Sequence, residues 1–165
     1  MARRHLLLTQ QQLPHPPAGV FPFFAEAANL ERITPPELRF HIVTPGPIRM
    51  QVGTLIEYRL RLFGMPFTWL TRISHWDPPR QFVDEQLWGP YRQWLHTHHF
   101  APAAGGTLMT DRVVYQLPFF PCGELAAPLV RLQLQRIFAY RRQTIAELFR
   151  VSGEHDELPS PSEGC

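Results

Sequence analysis

Apolar and polar residues alternate with a period of two through much of the chain, the mark of strands with one buried face. The clearest run is 52–63, where Thr54, Ile56, Tyr58, Leu60 and Leu62 alternate with Leu55, Glu57, Arg59 and Arg61. Gly64 and Pro66 turn the chain into a strand over 67–76, and Asp77-Pro78-Pro79 turns it again. A further run, 80–88, puts Phe82, Asp84, Gln86 and Trp88 on one face. Earlier strands are expected at 5–13, ended by Pro14, Pro16 and Pro17, and at 37–44, ended by Pro45-Gly46-Pro47.

Residues 89–117 predict the longest hairpin. Trp94, His96, His98 and Phe100 share one face of its first strand. Thr107, Met109, Asp111, Val113 and Tyr115 share one face of its second. Residues 101–106 supply the turn, with two glycines free to take positive φ. Pairing Phe100 with Thr107 sets His98 against Met109, His96 against Asp111 and Trp94 against Val113. A slip of one residue would exchange the faces.

Helical spacing occurs in two places. Residues 17–28 read as a small helix, and Asn29 caps a second over 30–34 before Pro35-Pro36. After residues 118–123 the period lengthens: Leu125, Leu129, Leu132, Ile137, Tyr140, Ile145, Leu148 and Phe149 recur at helical intervals. Arg131, Arg136, Arg141 and Arg142 stand between them. This predicts a helix of some 25 residues ending near 151–153. The order predicts an antiparallel sheet of seven strands with a long C-terminal helix across its apolar face. If the strands curl strongly, sheet and helix enclose a cavity.

Bulk composition narrows the class. The 165 residues suit one domain, expected over 1–151, with a disordered Pro/Ser/Glu-rich tail over 152–165. Hydrophobic residues at 44% and charged residues at 18% describe a soluble globule. A formal charge of +2 with scattered arginines argues against nucleic acid. Two cysteines, Cys122 and Cys165, make no disulfide framework, and neither a signal peptide nor a membrane span is expected, so the expected compartment is the cytoplasm.

Local sequence adds a resemblance. It is carried by Phe24 with Asn29-Leu30, Thr34-Pro35-Pro36, Gly53-Thr54-Leu55-Ile56-Glu57-Tyr58, Pro78-Pro79-Arg80-Gln81-Phe82, Asp84-Glu85-Gln86, Gly89-Pro90-Tyr91, His96-Thr97-His98 and Asp111-Arg112-Val113-Val114-Tyr115. Over roughly residues 6–149 the chain resembles the SRPBCC superfamily, which includes START domains, the major birch-pollen allergen and polyketide cyclase/dehydrase-like proteins, and within it a small bacterial branch. The resemblance implies an α+β helix-grip fold: a curved antiparallel seven-stranded sheet wrapped around a long C-terminal helix, with two short helices after the first strand. It also implies a hydrophobic small-molecule partner, such as a lipid, quinone or polyketide-like compound. No catalytic motif carries over, because fold and function separate in this superfamily.

The residues themselves offer several chemistries. A cavity between sheet and helix would be lined by Tyr58, Trp69, Gln86, Trp94, His98, Tyr115 and Phe119, with 118–122 as its lip. His96 with Asp111 has the composition of an acid–base pair for cyclase or dehydratase chemistry. His96 and His98 on one face resemble half of a metal site, with Asp84 or Asp111 as further donors, but no accompanying Cys or Glu motif points to a metal or cofactor, and none is expected. The plain alternative is a partner-binding domain filled by its own aromatics, its histidines hydrogen-bonded across strands.

Overall fold

The structure, a computed structural model, describes residues 3–154. Strands β1 (His5–Leu13), β2 (His41–Ile42), β3 (Leu55–Leu62), β4 (Met65–Asp77), β5 (Gln81–Trp88), β6 (Gln93–Ala103) and β7 (Gly106–Gln116) form one antiparallel sheet. Their order is β1-β7-β6-β5-β4-β3-β2, so β2–β7 meander and β1 crosses over to pair with β7. Helices α1 (Pro17–Ala25) and α2 (Asn29–Arg32) make the crossover, and α3 (Ala127–Glu154) follows β7 after a 3-10 turn, Cys122–Ala126.

The period-two faces hold along the expected strands. Ile56, Tyr58, Leu60 and Leu62 are buried on β3, while Arg59 and Arg61 are exposed. Two register shifts in β4, at Leu70/Thr71 and Ile73/His75, interrupt its pairing with β5. Such irregularities bend a strand and raise its twist, which lets this sheet curl.

Four expectations need correction. The hairpin is tighter than the sequence suggests: Ala103 pairs with Gly106, so the loop is Ala104-Gly105, not residues 101–106. The ladder is displaced by two from the expected register, giving Phe100↔Met109, His98↔Asp111, His96↔Val113 and Trp94↔Tyr115. An even displacement keeps every side chain on its expected face.

The strand expected at 37–44 shrinks to His41–Ile42. Pro36–Leu38 instead forms a 3-10 turn, closed by Arg39 in the left-handed region at φ 45°. Asn29 opens α2 without capping it, its side-chain amide donating to the Phe23 carbonyl at 2.9 Å.

On α3 the buried positions are Leu134, Phe138, Arg141, Ile145 and Phe149, whereas Leu129, Leu132 and Tyr140 are exposed, as is Leu125 in the turn before the helix. The helix carries leucines on both sides, so spacing alone did not fix its rotation. It runs through Glu154, into the expected tail; the remainder of that tail and Cys165 lie outside the described residues. Among the described residues, no helix is long and apolar enough to cross a membrane.

The core falls into two clusters. One gathers Tyr58, Trp69, Trp94, Val113, Tyr115, Leu134 and Phe138. The other gathers Leu13, Phe21, Phe24, Phe82, Phe100, Met109, Ile145 and Phe149. Along β6, β7 and α3 the residues lying between these clusters are His96, His98, Asp111 and Arg141, and all four are buried. A polar belt therefore crosses the core where apolar side chains would be expected.

Candidate functional site

Three strands and the long helix converge on this belt. His96 and His98 stand two residues apart on β6 and so point the same way; their ring centroids are 3.8 Å apart. Asp111 comes from β7 on one side and Asp84 from β5 on the other. Arg141 reaches down from α3. His98 lies flat on Phe82 at 4.1 Å, and His96 meets Phe138 edge-on at 5.4 Å, so both rings are fixed by packing as well as by hydrogen bonds.

Asp111 Oδ1 receives both imidazoles: His96 Nε2 lies 2.8 Å away and His98 Nδ1 2.9 Å away. His98 Nε2 is 2.8 Å from Asp84 Oδ2. With a carboxylate against each nitrogen, His98 donates twice, as an imidazolium does. Burial pulls its pKa down, but the hydrogen bonds to Asp111 and Asp84 outweigh that and hold it above the usual histidine value. His96 goes the other way: burial, then the neighbouring His98 charge, lower its pKa despite both carboxylates.

Burial likewise opposes ionisation of both acids. The Arg141 guanidinium and the two imidazoles overcome it at Asp111 and hold that carboxyl well below its usual range. The imidazoles and Arg141 hold Asp84 lower too. Two carboxylates, one imidazolium and one guanidinium sum to zero with His96 neutral, which is what makes so many buried ionisable groups tolerable. Arg141 completes this balance by position more than by contact. Its Nε is 3.9 Å from Asp111 Oδ2 and has no hydrogen-bond partner.

On the far side of the belt lies a cavity of about 170 Å³. Leu60, Trp69, Trp94, Leu134 and Phe138 are among its apolar walls. Asp84, His96, His98 and Arg141 bring the belt to its surface, and Tyr58 and Thr71 add a hydroxyl pair at 2.8 Å. Trp69 Nε1 is buried there without a partner. Burial pushes the Tyr58 hydroxyl far above its ordinary pKa, so it stays protonated as a donor.

Of the residues expected from sequence, Tyr58, Trp69, Trp94, His96 and His98 line this space. The structure places the others elsewhere. Asp111, on β7, contacts both imidazoles without lining the cavity. Gln86 is taken up by the Tyr91 backbone, donating to its carbonyl at 2.6 Å and accepting from its amide at 3.3 Å. Tyr115 packs in the core against Tyr91 and His5. Phe119 is 85% exposed, and none of residues 118–122 touches the cavity. The walls on that account come instead from Phe23, Glu26, Asn29 and Leu30 of the α1–α2 region. Asp84 was expected only as a further donor beside the two histidines, and Arg141 only as one arginine along the helix. Asp84 shares a face with Phe82, a signal that was present; nothing local marked Arg141.

Comparison with known proteins supports the architecture. No family model matches the chain, and no curated protein matches it. Among solved structures, TTHA0849 from Thermus thermophilus superposes with a TM-score of 0.66 at 20% identity, covering 90% of this chain and 99% of its own. Protein CV1439 from Chromobacterium violaceum gives 0.67 at 15% identity, over 87% and 96%. Ara h 8.0201 gives 0.58 at 17% identity, over 87% and 98%.

The chain has the helix-grip fold.

At these identities the likeness carries the fold and nothing finer, and at that level the SRPBCC resemblance read from the sequence holds. A helix-grip sheet leaves space under its long helix. In this chain that space ends on an ionic floor, where Asp84, His96 and His98 each present a donor atom, all within 4.8 Å of one another.

Proposed function

We propose that the chain binds a small, mostly apolar molecule, of lipid, quinone or polyketide-like character, in the cavity beneath α3. The observation that carries this reading is the cavity's asymmetry: aromatic and aliphatic walls, with unpaired donors at Trp69 Nε1 and Arg141 Nε. Apolar surface buried on binding contributes roughly 25 cal/mol per Å². A buried donor without a partner costs about 1–3 kcal/mol, which an acceptor on the guest would relieve. The favoured guest therefore has an apolar body and at least one oxygen acceptor. Native mass spectrometry of the purified chain, followed by solvent extraction, tests this. A retained small molecule of that kind is expected. A chain that carries nothing and leaves the intrinsic fluorescence of Trp69 and Trp94 unchanged when quinones and fatty acids are titrated in would overturn the reading.

One observation favours a second reading, a cyclase- or dehydratase-type enzyme. The 2.8 Å bond from His96 Nε2 to Asp111 fixes the imidazole tautomer with its proton on Nε2. The lone pair is then on Nδ1, and the lowered pKa keeps that ring neutral. A neutral, oriented imidazole at the wall of a largely apolar cavity is equipped to take a proton from carbon next to a carbonyl. Exchange of such a proton for deuterium in a bound ketone, lost in His96→Gln, is the expected signature.

A further inference from the structure

The two histidines are held in the manner of metal ligands. His96 Nδ1 and His98 Nε2 both face Asp84 Oδ2, at 3.7 and 2.8 Å. Their opposite nitrogens, His96 Nε2 and His98 Nδ1, both meet Asp111 Oδ1, at 2.8 and 2.9 Å. One carboxylate thus backs both rings, while the other completes a triangle with their free edges. Ligands 2.0–2.1 Å from one ion lie roughly 3.0–3.4 Å from each other, a range that these two spacings bracket. A carboxylate accepting the second ring N–H of each ligating histidine is the usual outer support of such a centre.

We propose that Asp84, His96 and His98 bind one first-row divalent ion, of the zinc, iron(II) or cobalt(II) kind, with Asp111 as the positioning residue for both imidazoles. The donor set decides the class: two imidazoles and one carboxylate suit these borderline ions rather than magnesium or calcium, which take oxygen ligands. On binding, the ion replaces the proton that joins His98 Nε2 to Asp84, and Arg141 remains to balance Asp111. Asp84, His96 and His98 all reach the cavity surface and Asp111 does not. The ion's remaining coordination positions therefore open onto the apolar cavity. They would take water or an oxygen donor at the polar end of a guest. Metal binding and the use of His96 Nδ1 as a base exclude each other, because both need the same lone pair.

The test uses the full, untagged chain, stripped with a chelator and titrated with Zn²⁺ by calorimetry and with Co²⁺ by visible absorption, no organic ligand being added. One ion per chain is expected, with Co²⁺ bands of nitrogen coordination. His96→Gln, His98→Gln and Asp84→Asn should each abolish saturable binding. Asp111→Asn should weaken it about 10–100-fold. His99→Gln, an exposed neighbour on the same strand, should bind as the parent does. Zn²⁺ should raise the melting temperature of the parent chain and leave that of Asp84→Asn, checked for fold by circular dichroism, unmoved. Absence of one-to-one binding by the parent chain overturns the proposal, as does an Asp84→Asn or His98→Gln chain that binds equally well. Either result leaves the uptake of apolar guests to be judged separately.

Discussion

His98 and Asp111 stand directly opposite one another on β6 and β7, and Nδ1 of the first lies 2.9 Å from Oδ1 of the second. A two-residue loop between the strands produces this pairing. The same carboxylate oxygen also receives His96, so one acid organises both imidazoles. The remaining counter-charge comes from Arg141, which stands on the long helix and not on a strand of the sheet.

That dependence can be measured. Arg141→Met keeps most of the side chain's volume but leaves buried Asp111 and half-buried Asp84 facing a single imidazolium. Breaking a buried ionic group from one side costs about 3–5 kcal/mol. Urea denaturation should show a loss of that size, and Arg141→Met combined with Asp111→Leu should recover part of it.

Rotation of α3 is open to a paired test. Phe138→Ala removes a ring from the inner face and should cost about 3–5 kcal/mol. Leu129→Gln and Leu132→Gln alter exposed positions and should stay within about 0.5 kcal/mol of the parent. Equal losses at all three positions would contradict this orientation of the helix.

Filling the cavity should separate binding from folding. Leu134→Trp extends a wall residue into the space beneath α3 at a cost of about 1–3 kcal/mol in stability. A fluorescent apolar probe taken up by the parent chain should be excluded from the variant, while its far-ultraviolet circular dichroism stays the same.

Gly106 opens β7 at φ 145°, and a methyl group there would overlap the Leu13 carbonyl oxygen at the end of β1. Gly106→Ala should therefore destabilise by at least about 1–3 kcal/mol. By contrast Gly105, with nothing within 4 Å of a methyl position, should lose only what its left-handed φ of 78° demands. Comparing the two melting temperatures checks the difference.

Much of this architecture was legible because period two is a local property. The shared face of Trp94, His96, His98 and Phe100 follows from counting along one strand, and the matching face of β7 follows likewise. A displacement of two in the pairing left those faces intact, although it moved Asp111 from His96 to His98 in the ladder. The rest was hidden because it is set across elements. Asp84 reaches the imidazoles only once β5 pairs with β6, and its charge reads locally like that of Glu85, which instead pairs with Arg72 outside. Arg141 is one arginine of several along α3, distinguished only by which side the helix lays on the sheet. Phe119 and Leu125 carry apolar side chains that packing leaves outside, a choice no periodicity records.

The placement of β1 at the sheet's edge has a kinetic consequence. His5 pairs with Tyr115 and Leu13 with Thr107, so β1 finds its neighbour only when β7, the last strand of the sheet, is available. Closing so long a loop is entropically slow, and the β6–β7 hairpin, whose ends are already adjacent, has time to form beforehand. The N-terminal segment thus locks the assembly rather than nucleating it.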